Sequence, residues 1–148
     1  MPNNAPESLP TYMRKCTDSL VSIEENKRKA VFQNRQREDI YIIHVDGKMI
    51  TQGERADYIV AKPQVVDIII ELKGSDVTKA INQIRATLPA WQQTPHAGKK
   101  QAALVVRGKG VHPNALINYG RWKAELRKKN VRLRIETSNQ TYEFGEFL

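Results

Sequence analysis

Short stretches in which apolar and polar residues alternate, or in which β-branched and aromatic residues cluster, dominate the first half of the chain and are typical of β-strands. The runs predict strands at 29–33, 40–45, 48–50, 55–60 and 65–73. The first three strands should form an antiparallel meander. The last two strands flank Pro63 and Gln64, so they should form a hairpin whose second strand is the centre of the sheet.

Three other segments favour helices. The first is 19–25, capped by Thr17 or Asp18. The second begins at a Ser75 cap and ends before Pro89. The third follows Pro113 and carries Leu116, Ile117, Trp122 and Leu126 on one face, and strands at 101–106 and 131–135 follow the second and third helices. This order predicts an α/β (α+β) sandwich with a mixed β-sheet flanked by helices.

The length and composition fit one globular domain. The chain has 148 residues, of which 40% are hydrophobic and 27% charged. Residues 1–10 contain three prolines and are expected to form a flexible tail before a single domain at 11–148. No apolar run is long enough for a membrane span and the polar start does not resemble a secretory signal, so we expect a cytoplasmic protein without a membrane partner. One cysteine and three scattered histidines leave carboxylates as the expected metal ligands.

The charge is strongly asymmetric. The net charge is +8, and residues 77–134 hold thirteen basic residues but only one acidic residue, Glu125. This excess favours a nucleic acid as partner; the alternatives are a merely solubilising surface or a surface for an acidic protein. Trp91, after Pro89, is a candidate for stacking on a base. The residues expected to contact nucleic acid are Lys99, Lys100, Arg107, Lys109, Arg121, Lys123, Arg127 and Lys128.

Three charged residues converge at one end of the predicted hairpin. Because side chains alternate along a strand, Glu71 and Lys73 face the same side. A turn about Pro63 and Gln64 places Asp57 opposite Ile70 or Glu71. Two adjacent carboxylates resist ionising together unless a cation lies between them, and oxygen ligands suit Mg²⁺ or Mn²⁺. The alternative is a structural ion pair at the sheet end.

The order Asp57, thirteen residues, Glu71-Leu72-Lys73 and then a helix resembles the PD-(D/E)XK nuclease superfamily. The resemblance implies a restriction-endonuclease-like sandwich and a Mg²⁺ ion (or Mn²⁺) bound by Asp57, Glu71 and the main-chain carbonyl of Leu72. It further implies that Lys73 orients or activates the water that attacks a phosphodiester bond of DNA.

The same resemblance implies two further site residues. Many members use a glutamate of the first helix, for which Glu24 and Glu25 are both candidates. Some members carry a glutamine on the helix after the lysine, where Gln83 stands, although the aromatic residue found four positions later is here Thr87. The alternative for Gln83 is a solvent-facing helix residue.

The sequence therefore predicts a magnesium-dependent nuclease that hydrolyses DNA, with catalytic residues Asp57, Glu71, Lys73 and Gln83. The alternatives are a non-catalytic nucleic-acid-binding module of the same fold and a protein-interaction subunit. Cutting both strands of a duplex needs two such sites, so a homodimer is one expectation. The apolar residues of the final segment would then pack on a partner, or else back on their own domain; they are Tyr142, Phe144, Phe147 and Leu148.

Overall fold

The structure, a computed structural model, describes residues 8–72, 76–108, 116–137 and 140–148. It is a mixed α/β fold with a six-stranded sheet (the main sheet), a three-stranded sheet (the minor sheet) and two α-helices. The strands are β1 (Met13–Cys16), β2 (Leu20–Glu25), β3 (Arg28–Gln33), β4 (Ile40–His44), β5 (Tyr58–Lys62), β6 (Val66–Glu71), β7 (Gln101–Arg107), β8 (Val131–Thr137) and β9 (Gln140–Tyr142). The helices are α1 (Val77–Gln92) and α2 (Tyr119–Lys128), and a 3₁₀-helix spans Phe144–Phe147.

The main sheet has the order β1-β4-β5-β6-β7-β8. In this sheet β1, β4, β5 and β6 pair antiparallel, whereas β6, β7 and β8 pair parallel. Helix α1 connects β6 to β7, and α2 lies between β7 and β8. Side chains of one face, such as Ile69 and Ala103, pack under the two helices, and those of the other face, such as Ile68 and Leu104, pack under the minor sheet. Covering both faces explains why all residues of β6 are buried and why its sequence is continuously apolar in the centre.

The minor sheet corrects two predictions. Residues 19–25 do not form a helix: β2 pairs antiparallel with β3, because Val21 and Ile23 are buried and alternate with exposed neighbours. The predicted meander is also wrong, since β3 lies between β2 and β9, whereas β4 lies in the main sheet. Segment 48–50 makes only an isolated bridge, between Asp46 and Ile50.

Helix α1 confirms its predicted apolar face but not its ends. The Asp76 carboxylate caps it by accepting the Lys79 N–H at 2.9 Å, and Ser75 lies outside the described residues. The helix continues through Pro89. Trp91 is fully buried and its Nε1 donates to Asp67 Oδ2 at 2.8 Å, which anchors the last turn despite the missing proline N–H. Trp91 is therefore a core residue and is not available for base stacking.

Helix α2 buries Trp122 and Leu126 as predicted, but Ile117 precedes the helix and is 76% exposed. Pro113 lies outside the described residues. Strand β8 shows the predicted alternation of buried and exposed residues. Within the described ranges, no helix is long and apolar enough to cross a membrane.

The final segment packs back on its own domain. β9 pairs parallel with β3, and Tyr142, Phe144 and Phe147 are buried against the minor sheet. The Phe32 and Phe144 rings stack with their centroids 5.3 Å apart. These three aromatic residues are thus unavailable to a partner, and the homodimer stays a prediction.

Candidate active site

The sequence predicted Asp57 opposite Ile70 or Glu71, and the hairpin of β5 and β6 places it between Ile70 and Leu72. The ladder ends at the pair of Tyr58 with Ile70, and Asp57 directly precedes Tyr58. The Asp57 N–H donates to the Ile70 carbonyl at 3.1 Å, and Asp57 Oδ2 accepts the Leu72 N–H at 2.7 Å. The Asp57 carboxylate is thereby fixed at the peptide that follows Glu71.

Both carboxylates are buried at the edge of the main sheet where β6, β7 and β8 end, which we call the carboxyl edge. Asp57 is 2% exposed and Glu71 is fully buried. In open α/β sheets, ligands bind outside the carboxyl ends of the parallel strands. Two carboxylates at adjacent positions in a low-dielectric interior repel each other, so a bound cation would stabilise the pair. Lys73, the third residue of the predicted set, lies outside the described residues.

Glu25, rather than Glu24, lies beside Tyr58, the residue that follows Asp57. Burial raises the pKa of Tyr58, the negative charges of Glu25 and Asp57 raise it further against the opposing effect of Arg14, and a hydrogen bond between Tyr58 and Glu25 adds to the rise. Glu24 is exposed on the outer face of β2. Both candidate glutamates therefore lie on a strand of the minor sheet and not on a first helix, which corrects that prediction.

Gln83 lies on the buried side of α1 and is only 6% exposed, so the solvent-facing alternative is wrong. One turn later, the Thr87 hydroxyl donates to the Gln83 carbonyl at 2.8 Å and accepts the Ala56 N–H at 2.7 Å. Ala56 directly precedes Asp57. Thr87 therefore ties α1 to the start of β5, a positioning role that the sequence signalled only by a hydroxyl among apolar helix positions.

A second residue not identified from the sequence is Arg28 of the minor sheet. Its guanidinium lies over Gly108, the residue after β7, so closely that a Cβ on Gly108 would lie 2.9 Å from Arg28 Cζ. Arg28 thus adds a positive charge at the carboxyl edge. The sequence did not identify Arg28 because 19–25 was predicted as a helix, whereas it is the β2–β3 hairpin that places Arg28 at this edge.

The expected nucleic-acid contacts do not form one surface. Arg107 ends β7 at the carboxyl edge, and Arg121 is exposed in the first turn of α2. Lys99 and Lys100 precede β7 at the opposite, amino edge, where Lys100 lines the same pocket as Lys123 and Arg127. Lys128 borders Lys123 and Arg127 on α2, and Lys109 lies outside the described residues. Because β7 spans about 20 Å at about 3.3 Å per residue, the basic residues fall into two groups at opposite edges.

The donor chemistry of the carboxylate pair fits a hard cation. Asp57, Glu71 and the Leu72 carbonyl offer only oxygen, the ligand type that Mg²⁺ and Mn²⁺ prefer. Among the described residues, including those of the candidate site, no group of three or more His, Cys, Asp or Glu side chains is arranged to hold a metal ion. The predicted set is smaller than such a group because it combines two carboxylates with a main-chain oxygen.

No protein-family model matches this chain, and neither a curated protein nor a solved structure shows significant similarity to it. The function is therefore inferred from the residues and geometry of the carboxyl edge.

Proposed function

We propose that this protein is a metal-dependent nuclease, with Mg²⁺ or Mn²⁺ held at the carboxyl edge and DNA as the substrate. The observation that carries the proposal is the burial of two carboxylates, Asp57 and Glu71, at the end of a central strand, where Asp57 accepts the N–H of Leu72, the residue after Glu71. Titratable groups buried at the carboxyl edge of a sheet are typical of functional sites.

The chain's own groups have distinct roles in this proposal. Asp57 and Glu71 would hold the ion together with the Leu72 carbonyl, and the Leu72 N–H bond fixes the Asp57 carboxylate. Lys73 would hold and orient the attacking water. Arg28 lies where it can bind a phosphate oxygen of the substrate. The ion would supply Lewis-acid stabilisation of the phosphate and a lower pKa for its bound water.

The experiment is cleavage of labelled single-stranded, double-stranded and branched DNA with Mg²⁺, with Mn²⁺ and with chelator. We expect metal-dependent cleavage that Glu71→Gln, Asp57→Asn and Lys73→Ala each abolish. Calorimetric titration should show that the two carboxylate variants, but not Lys73→Ala, lose metal binding. Wild-type cleavage by Lys73→Ala would refute the catalytic assignment.

Asp67→Asn is the matched control. Asp67 is also a buried acid of β6, 3% exposed, but it lies at the amino edge, where it accepts hydrogen bonds from Trp91, Gly98 and Gln101. Its substitution perturbs the same strand without touching the carboxyl edge. Cleavage by Asp67→Asn below its unfolding temperature, beside no cleavage by Glu71→Gln, would separate chemistry from stability.

A non-catalytic nucleic-acid-binding module is the second candidate, and the division of the basic residues favours it. Four of the basic residues lie away from the carboxylate pair: Lys99, Lys100, Arg127 and Lys128. They can therefore bind nucleic acid without bringing it to the carboxylates. Nucleic-acid binding that is insensitive to metal, together with no cleavage in any metal, would support this function over the nuclease.

A further inference from the structure

A pocket of about 170 Å³ opens at the amino edge of the main sheet, between the end of α2 and the start of β8. Four basic side chains line it, from α2, from β8 and from the residue before β7, with Asn130 at the connection between α2 and β8. The four are Lys100, Lys123, Arg127 and Arg132.

Most of this charge is not neutralised by the protein. Among the described residues, Lys100, Lys123 and Arg127 form no ion pair with an acidic side chain. Glu125, the one acid of α2, is paired instead with Arg85 of α1. Arg132 donates to the main-chain oxygen of Leu148 at 2.6 Å, which orients its guanidinium at the pocket.

The geometry favours an anion with several oxygens. Lys123 and Arg127 are one helical turn apart and share a face of α2, so both reach the same side of the pocket. Like charges held in one concavity repel, and an anion that accepts hydrogen bonds from several of them relieves that repulsion. Arginine and lysine together are typical of phosphate recognition.

We propose that this pocket is a phosphate-binding site that takes a backbone phosphate of nucleic acid. It goes beyond the nuclease proposal because it involves neither the carboxylate pair nor a metal. It lies at the opposite edge of the main sheet from Asp57 and Glu71, about the length of β7 away.

This separation sets a length requirement. Each base pair of duplex DNA advances about 3.4 Å along the helix axis, so about 20 Å corresponds to at least about six base pairs. A shorter duplex can occupy one edge at a time, whereas a longer one can occupy both. The pocket should therefore contribute to affinity for long duplexes in addition to whatever the carboxyl edge binds.

The first test uses pyrophosphate and calorimetry, in chelator and at constant ionic strength. We expect the full-length protein to bind pyrophosphate and the double variant Lys123→Ala/Arg127→Ala to bind it roughly tenfold more weakly or worse, as for the loss of charged hydrogen bonds. Arg121→Ala is the matched control, since Arg121 is an exposed arginine of the same helix outside the pocket. No pyrophosphate binding, or equal binding by the double variant, would overturn the proposal.

The second test distinguishes a backbone phosphate from a free phosphate compound. The test uses two duplexes, one of about 5 base pairs, shorter than the estimated span, and one of about 20 base pairs, longer than it. The double variant should lose affinity for the longer duplex. Its slope of log K against log salt should fall by about 0.9, as expected for the loss of one phosphate contact on duplex DNA. Pyrophosphate binding without any effect on duplex binding would refute the nucleic-acid assignment and leave a site for small phosphate compounds. Pyrophosphate binding is measured in chelator, without the metal that the nuclease proposal requires, so failure of either proposal is separately visible.

Discussion

Thr87→Val tests the contact that ties α1 to the candidate site. The substitution keeps the shape and the β-branch of the side chain and removes only the hydroxyl. The Ala56 N–H then loses its acceptor at 2.7 Å in a fully buried position. A buried donor left without a partner costs about 1–3 kcal/mol, so the free energy of unfolding should fall by about that amount.

Urea and thermal unfolding measure this loss. At roughly 3 °C per kcal/mol for a chain of this length, Tm should fall by about 3–9 °C. Thr87→Ser keeps the hydroxyl and should keep the hydrogen bond, and Thr78→Val makes the same change at an exposed position of α1. Because Ala56 precedes Asp57, Thr87→Val should also weaken metal binding, while Thr78→Val should not. A Thr87→Val protein as stable as the wild type would refute the role assigned to this contact.

Two further substitutions test buried and close-packed groups. Burial, assisted by the charge of Glu136, raises the pKa of Tyr142 from 10.0 to about 12. Among the described residues, its buried hydroxyl has no hydrogen-bond partner. The folded state therefore holds the phenol proton more tightly, and this contribution to stability is complete below about pH 10 and lost as the pH rises through about 12. In urea unfolding, Tyr142→Phe should be no less stable than the wild type at pH 7 and should lose less stability at alkaline pH; a large loss at pH 7 would contradict this. Gly108→Ala should displace the flexible guanidinium of Arg28 and lower the free energy of unfolding by less than about 1 kcal/mol. In a double-mutant cycle, adding Arg28→Ala to Gly108→Ala should cause no further loss of DNA affinity, because both substitutions remove the same guanidinium. Additive losses of affinity would show that the two residues act separately.

The centre of the fold was predictable because its local patterns are strong. The runs in β5 and β6 flank a short turn, so arithmetic on residue numbers placed Asp57 opposite Ile70 or Glu71, and the observed pairing of Tyr58 with Ile70 agrees with that range. The apolar spacing of α1 and the alternation in β8 likewise determine which face each element buries. The predicted position of Asp57 at the end of β6 depends on this one hairpin alone.

The minor sheet was not predictable from local pattern. Segment 19–25 is short enough for its apolar residues to fit either a helix or a strand, and its strand state depends on pairing with β3. β9 pairs with β3 across more than a hundred residues, and no local signal specifies that partner. The continuation of α1 through Pro89 depends equally on a distant contact, the hydrogen bond from Trp91 to Asp67.

The division of the basic residues follows from the topology of the main sheet. Because β6, β7 and β8 are parallel, every residue that follows one of them lies at the carboxyl edge and every residue that precedes one lies at the amino edge. Lys100 and Arg107 are only seven positions apart in sequence, yet they stand at opposite ends of β7. A run of charge that is continuous in the sequence is therefore divided by each strand that it crosses. This chain places Asp57 and Glu71 at one edge and its basic pocket at the other, so metal-dependent chemistry and phosphate binding can be tested, and can fail, independently.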